Sequence, residues 1–188
     1  TPDRLDDKNI YEICDYNVVY DVRLKEAVNK GWLVPFRYYG IYDGTVNYDG
    51  ISYAHGKYDE EELEKELMIP QRGDLVYHNY SKYNCKRALA FCSTKKHAEY
   101  MAEFFQNRGV RAAAVYSGTD GEYNLDRKEA LEELKDGRLQ IIFSVDMFNE
   151  GLDVKNIDMV LFLRPTQSPA VFLQQLGRGL RTAEGKSY

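Results

Sequence analysis

From Lys86 onward the chain alternates short, largely apolar runs with stretches of helical period. Ala88-Leu89-Ala90-Phe91-Cys92, Ala112 to Tyr116, Leu139 to Phe143 and Met159 to Leu163 have strand length and no consistent polar face, which predicts buried strands. Ser93 and Thr94 follow the first run as N-cap candidates, and Ala98, Met101, Ala102 and Phe105 then recur at i, i+3, i+4 and i+7 until Gly109 stops the pattern. Leu125 to Asp136 reads as a second helix, with Leu131 and Leu134 inward and Gly137 at its end. Ser168, with Pro169 at the first helical position, starts a third that should run through about Arg181. Strands apolar on both faces and separated by helices imply βαβ units. The expected fold class is α/β, a doubly wound parallel sheet with helices on both faces. Ligands of such sheets sit outside the carboxyl ends of the strands. The predicted rim therefore carries Ser93-Thr94, Tyr116-Ser117-Gly118, Ser144-Val145-Asp146 and Arg164-Pro165-Thr166.

The front of the chain has a different pattern. Trp32 to Gly40 reads as extended, Asp59 to Met68 as a charged helix and Gln71 to Lys82 as another helix. No Gly/Ser/Pro-rich hinge separates this part from the rest. Residues 1-83 are therefore expected to form an elaboration packed on a core of 84-188, one structural domain overall, with 34 to 42 adding a strand to the sheet. Net charge is −5, and the acidity sits in front: 10 basic and 16 acidic residues up to Tyr83, then 15 and 14 after it. That balance argues against a protein that coats nucleic acid, not against local phosphate contacts. The sixteen tyrosines are scattered rather than spaced as a stacking platform. Cys14, Cys85 and Cys92 form no CxxC pair and share no ligand spacing with His55, His78 or His97, so reduced thiols and a cytoplasmic location are expected, with no metal site. No apolar run approaches bilayer length, so no membrane association is expected.

Two segments carry candidate chemistry. Placed at about 100° per residue, Gln174, Arg178 and Arg181 fall within about 60° of one another, while Phe172, Leu173, Leu176 and Leu180 gather opposite. Two guanidinium forks on one face suit phosphate oxygens, and Gly177 beside them lets a ligand or backbone approach; a solvated basic face is the alternative. The second segment, Ser144 to Val154, follows a buried strand and offers Glu150, Gly151 and Asp153 as a nucleotide-edge loop or, alternatively, as a capped turn. Gly185-Lys186-Ser187 mimics the end of a P-loop, but Leu180 stands where that motif needs glycine. Asp59 to Glu62 mimics an acidic magnesium box, yet no apolar strand feeds it. No GxGxxG follows a strand, which disfavours a dinucleotide enzyme.

Gln174-Gln175-Leu176-Gly177-Arg178-Gly179-Leu180-Arg181 resembles the QxxGRxxR motif of superfamily 2 helicases and translocases, and Phe143 to Val154 resembles their motif V with its EGLD ending. Ala88 to Ala98 is similar to motif IV, and Thr1-Pro2-Asp3-Arg4 to the tail of motif III. The resemblance covers the chain end to end, is nearest to the XPB, UvrB and restriction-subunit branch, and implies the second, C-terminal RecA-like lobe. It implies Arg178 and Arg181 as an arginine-finger pair reaching ATP, Gln174 ordering the site, Gly151, Asp153, Glu150 and Gly177 near the nucleotide, and Ser93, Thr94, Ser117, Gly118 and Ser144 on the nucleic-acid backbone. ATP and Mg would be bound mainly by a first lobe of the same parent chain, since no P-loop lysine or Walker B carboxylate is present, and the fragment alone should be inactive. Nucleic acid, DNA rather than RNA, is the implied partner. Asn149 stands where related proteins often carry arginine, so it receives no role. The alternatives are the motor subunit of a restriction system and a degenerate, non-hydrolysing nucleic-acid-binding module.

Overall fold

The computed structural model describes residues 15, 22–118, 120–147, 156–165, 168–183 and 185–186. Its centre is a four-stranded, wholly parallel sheet: β3 (Ala88–Phe91), β4 (Ala112–Val115), β5 (Ile141–Ser144) and β6 (Met159–Phe162), in the order β4-β5-β3-β6. A separate two-stranded ribbon pairs β1 (Tyr53–Ala54) with β2 (Lys57–Tyr58). The helices are α1 (Leu24–Asn29), α2 (Glu60–Leu67), α3 (Pro70–Ser81), α4 (Lys95–Gln106), α5 (Arg127–Asp136) and α6 (Pro169–Gly179). Among the described residues no helix is long and apolar enough to cross a membrane.

Alternation along β3 divides the interior in two. Ala88 and Ala90, with Cys92 just beyond, face α3 and α4, where Met101, Ala102, Phe105 and Phe143 form one core. Leu89 and Phe91 face α5 and join Ala113, Val115, Ala130, Leu134 and Ile142 in the other. The sheet is thus covered on both faces, as continuous apolar strands require. Phe105 locks α4 into this arrangement, meeting Tyr77, Tyr80 and Phe143 edge-on at 5.4, 5.2 and 5.0 Å. Such pairs contribute about 0.5–1.5 kcal/mol each beyond area burial.

The helix boundaries follow their caps. Thr94 Oγ1 accepts from His97 N, Ser168 Oγ from Val171 N, and Asp126 Oδ1 from Lys128 N and Glu129 N. Those backbone donors hold the Asp126 carboxyl below the usual carboxylate range. Gly109 and Gly137, at φ 78° and 77°, make the left-handed stops that end α4 and α5.

The front departs from expectation. Residues 34 to 42 add no strand to the sheet: the segment makes one antiparallel bridge, Leu33 to Arg181, and Val34 N donates to Leu180 O. Pro35 removes a ladder donor, and Phe36, Tyr38, Tyr39, Ile41 and Tyr42 stay exposed, so among the described residues no ladder pairs the segment with β6. A cleft of about 850 Å³ separates the two, walled also by α3 and α6. Val46, Ile51, Leu63 and Leu67 form a small apolar cluster of their own.

Candidate functional site

Parallel register brings the four strand ends to one level. Phe91 pairs with Ser144 and Phe162, and Val115 with Ser144, so the residues that follow each strand emerge along one edge. Ser93 and Thr94 emerge half-buried at the head of α4, and Ser117 and Gly118 are exposed. Gly118, at φ 108°, is held by Asn124 Nδ2, which donates to its carbonyl at 3.0 Å. The neighbouring Tyr116 hydroxyl bonds Glu99 Oε1 at 2.9 Å and the Asp120 carbonyl, and burial followed by Glu99 pushes its pKa up to about 12. Lys95 Nζ lies 5.5 Å from the Tyr116 ring centre. Arg164 NH1 spans from β6 to Asp146 Oδ1, 2.8 Å away past the end of β5. The described part of the rim is therefore assembled as its spacing predicted, with one correction, while Thr166 lies outside the described residues. The Ser144 side chain is fully buried and its hydroxyl donates inward to Ala90 O at 3.3 Å, because β5 is an interior strand whose last residue still lies between the two helical layers.

Behind Ser93 lies a buried polar chain that the sequence pattern does not announce. Arg72 of α3 is 4% exposed; its Nε meets Asp43 Oδ2 at 3.0 Å, NH1 meets His97 Nε2 at 3.2 Å, and NH2 donates to Leu163 O at 2.8 Å. His97 of α4, 0% exposed, places Nδ1 3.0 Å from Ser93 Oγ. Burial, then the charge of Arg72, pulls the His97 pKa down to about 3, so the ring is neutral. Beside it burial pushes the Cys92 thiol up to about 12, against the pull of Arg72 and Arg164. Cys92 and Cys85 are free thiols, and Cys14 lies outside the described residues. The only sequence signal for this chain is a histidine and an arginine inside otherwise amphipathic helices.

Helix α6 docks through Leu176 and the neighbouring Leu180 and packs the Phe172 ring, tilted by 35°, on Phe162 with centroids 4.9 Å apart. Two expectations shift here, and a buried glutamine joins them. The helix ends at Gly179, so Arg181 leaves the helical spacing of Arg178 and sits instead in the bridge to Leu33. Leu173, expected inward, is 46% exposed, and Gln175 rather than Gln174 is the fully buried glutamine. Gln174 and Arg178 are half-buried. The two glycines divide in role: a Cβ on Gly177 would meet nothing within 4 Å, whereas one on Gly179 would lie 2.9 Å from Val160 Cγ2. Gly177 thus borders open space and Gly179 is a packing glycine against β6. Glu150, Gly151 and Asp153 lie outside the described residues, as do Thr1 to Arg4. Lys186, the P-loop mimic, donates to Ile157 O and Gly179 O at 2.5 and 2.6 Å and so serves as a staple at the end of α6. Among the described residues no group of three or more His, Cys, Asp or Glu side chains could hold a metal ion.

A parallel sheet with this rim, whose final helix carries Gly177 and Arg178 with Arg181 just beyond its end, is matched over residues 71–183 by the helicase conserved C-terminal domain model. The chain belongs to the helicase C-terminal domain family. It is the RecA-like C-terminal lobe of the superfamily 2 kind, and the fold agrees: the Escherichia coli DEAD-box protein SrmB, solved bound to regulator of ribonuclease activity A, superposes at a TM-score of 0.51 over 61% of this chain and 64% of that one, at 18% identity. A 51.5 kDa protein of Lactococcus phage is 24% identical over 187 residues, 100% of this chain and 40% of its own length. UvrABC system protein B of Natronomonas pharaonis is 29% identical over 131 residues, 67% of this chain and 19% of its own. The helicase C-terminal domain described here therefore spans well under half the length of these relatives.

Proposed function

We propose that this chain is the second lobe of an ATP-dependent nucleic-acid motor, with Arg178 and Arg181 reaching ATP held on a first lobe and the strand-end rim following one strand's backbone. The observation that carries the reading is the conjunction on one parallel sheet of the rim donors with Arg178 beside the open face of Gly177. ATP fits the donors present, since guanidinium groups pair with phosphate oxygens. Mg²⁺ is assigned to the first lobe, in line with the family resemblance; bound there with ATP it would neutralise charge developing on the transferred phosphoryl group. This chain's own residues would orient the phosphates and grip the strand, contacts that are sequence-independent by nature. The resemblance to the UvrB branch supports DNA as the track, while the SrmB likeness speaks only to fold.

The decisive experiment is ATP hydrolysis by this chain alone and by a chain extended through its first lobe, each with and without single- and double-stranded DNA or RNA. Turnover only in the extended chain, stimulated by nucleic acid, is expected. Absence of turnover in both would leave a binding module rather than a motor.

A further inference from the structure

Arg72 can only donate hydrogen bonds, because a guanidinium has no acceptor and stays protonated in proteins. Its NH1 lies 3.2 Å from His97 Nε2, so that nitrogen must present a lone pair. A neutral imidazole with Nε2 as acceptor carries its proton on Nδ1, and Nδ1 lies 3.0 Å from Ser93 Oγ. The Ser93 backbone N–H also points at Nδ1, from 3.4 Å, but for Nδ1 to accept this longer bond the proton would have to sit on Nε2, head-on to the Arg72 N–H at 3.2 Å. Asp43, 3.0 Å from Arg72 Nε, compensates the buried charge that enforces this choice.

We propose that Arg72 is a positioning residue that fixes His97 in the Nδ1–H form, so that the imidazole donates to Ser93 Oγ and turns the serine O–H outward as a donor to a backbone phosphate on the rim. The inference rests on the reading of this rim as a nucleic-acid track. Without Arg72, Nε2 takes the proton, Nδ1 accepts from Ser93, and the hydroxyl turns inward. The adjacent Thr94 works alongside: its oxygen is occupied by His97 N at 3.2 Å, leaving its O–H to donate. Both hydroxyls are then donors, matched to phosphate oxygens that only accept. The front elaboration thereby gains a role, since Asp43 and Arg72 both precede the sheet and reach its rim through one histidine.

The test begins with the unmodified 188-residue chain. Two-bond ¹H–¹⁵N correlation spectra of His97 should show the Nδ1–H tautomer; the Nε2–H tautomer overturns the proposal. Arg72→Lys keeps a donor and should keep the tautomer, and Arg72→Met should reverse it. Should Arg72→Met fail to fold, Asp43→Asn combined with Arg72→Met removes the stranded carboxylate and gives the same readout. Titration with a short single-stranded oligodeoxynucleotide should show Ser93→Ala weakening binding about tenfold, the scale of one hydrogen bond to a charged group. Arg72→Met should cost the same factor and add nothing in the Ser93→Ala background. Ser93→Ala binding equal to that of the unmodified chain overturns the phosphate role. If the unmodified chain binds no oligonucleotide, the rim reading falls and the phosphate role with it, while the tautomer spectrum still decides whether Arg72 sets the ring.

Discussion

His97 is neutral in the fold and must pick up a proton when the chain unfolds in acid. With a folded pKa of about 3 against an ordinary 6.5, the unfolded state binds more protons between those values. Stability therefore rises with pH up to about 6.5 and is lost as pH falls below it, at up to about 1.4 kcal/mol per pH unit. By pH 5 the loss from this one ring should reach roughly 2 kcal/mol relative to pH 8. Carboxylates also titrate in acid, so the measurement is a difference: urea unfolding of His97→Gln and of the unmodified chain across pH 4.5–8 should show a shallower acid slope for the variant, and equal slopes would mean His97 is hydrated. The role proposed for Arg178 is tested at the same scale, but on chemistry. In the two-lobe parent, Arg178→Ala should lower ATP turnover by about 10³ to 10⁵, as loss of an arginine finger does. Arg178→Lys should rescue little, because an ammonium cannot reproduce the bidentate fork. Unchanged turnover with an unchanged circular dichroism spectrum would remove Arg178 from the site.

Helices and strands were legible where a local signal marks them. Thr94, Asp126 and Ser168 cap as their types predict, Gly109 and Gly137 stop helices at positive φ, and the i, i+3, i+4, i+7 set of α4 is fully buried. The errors fall where the deciding partner is distant in sequence. The stretch from 34 to 42 has strand composition, but whether it joins β6 depends on a packing more than 110 residues away, and Pro35 and the cleft decide against it. The relay was invisible for the same reason: Arg72 finds Asp43, His97 and Leu163 at separations of 29, 25 and 91 residues. Two helical glycines test this level. Gly73 of α3 faces α4, and a Cβ there would lie 2.6 Å from the Phe104 ring, itself covered by Arg108 at 3.6 Å. Gly73→Ala should therefore destabilise by about 1–3 kcal/mol, despite alanine's better helix propensity. Gly177→Ala meets empty space and should stabilise the isolated chain by about 0.5–1 kcal/mol. If a nucleotide approaches that face, the same change raises the KM for ATP in the two-lobe parent. Thermal melts of both variants, with ATP kinetics for the second, separate packing from function.

At the scale of the whole molecule the proposed function requires a chain of net charge −5 to hold a polyanion. The answer lies in what kind of donor faces the strand. Ser93, Thr94 and Ser117 offer neutral hydroxyls, while the charged groups nearby are mostly engaged: Arg164 with Asp146 at 2.8 Å, Lys96 with Glu64 at 3.3 Å, and Arg72 buried behind the rim. Lys95, set against the Tyr116 ring, remains an exposed cation at the level of Gly118. Neutral donors displace no condensed counterions, so binding should release only one or two, giving a slope of log K against log salt of about −0.7 to −1.4 for a single strand. Affinity at physiological salt should fall in the non-specific range, roughly 10⁻⁴ to 10⁻⁶ M. Oligonucleotide titrations between 50 and 300 mM salt measure both, and Lys95→Ala should flatten the slope by about 0.7 while Ser93→Ala lowers affinity at every salt without changing it. A slope near −4 would require a basic surface that the described rim does not present. In the proposed motor, a lobe gripping through hydroxyl donors would hold phosphates by geometry rather than by charge, and would release one register and take the next without stripping an ion atmosphere at each step.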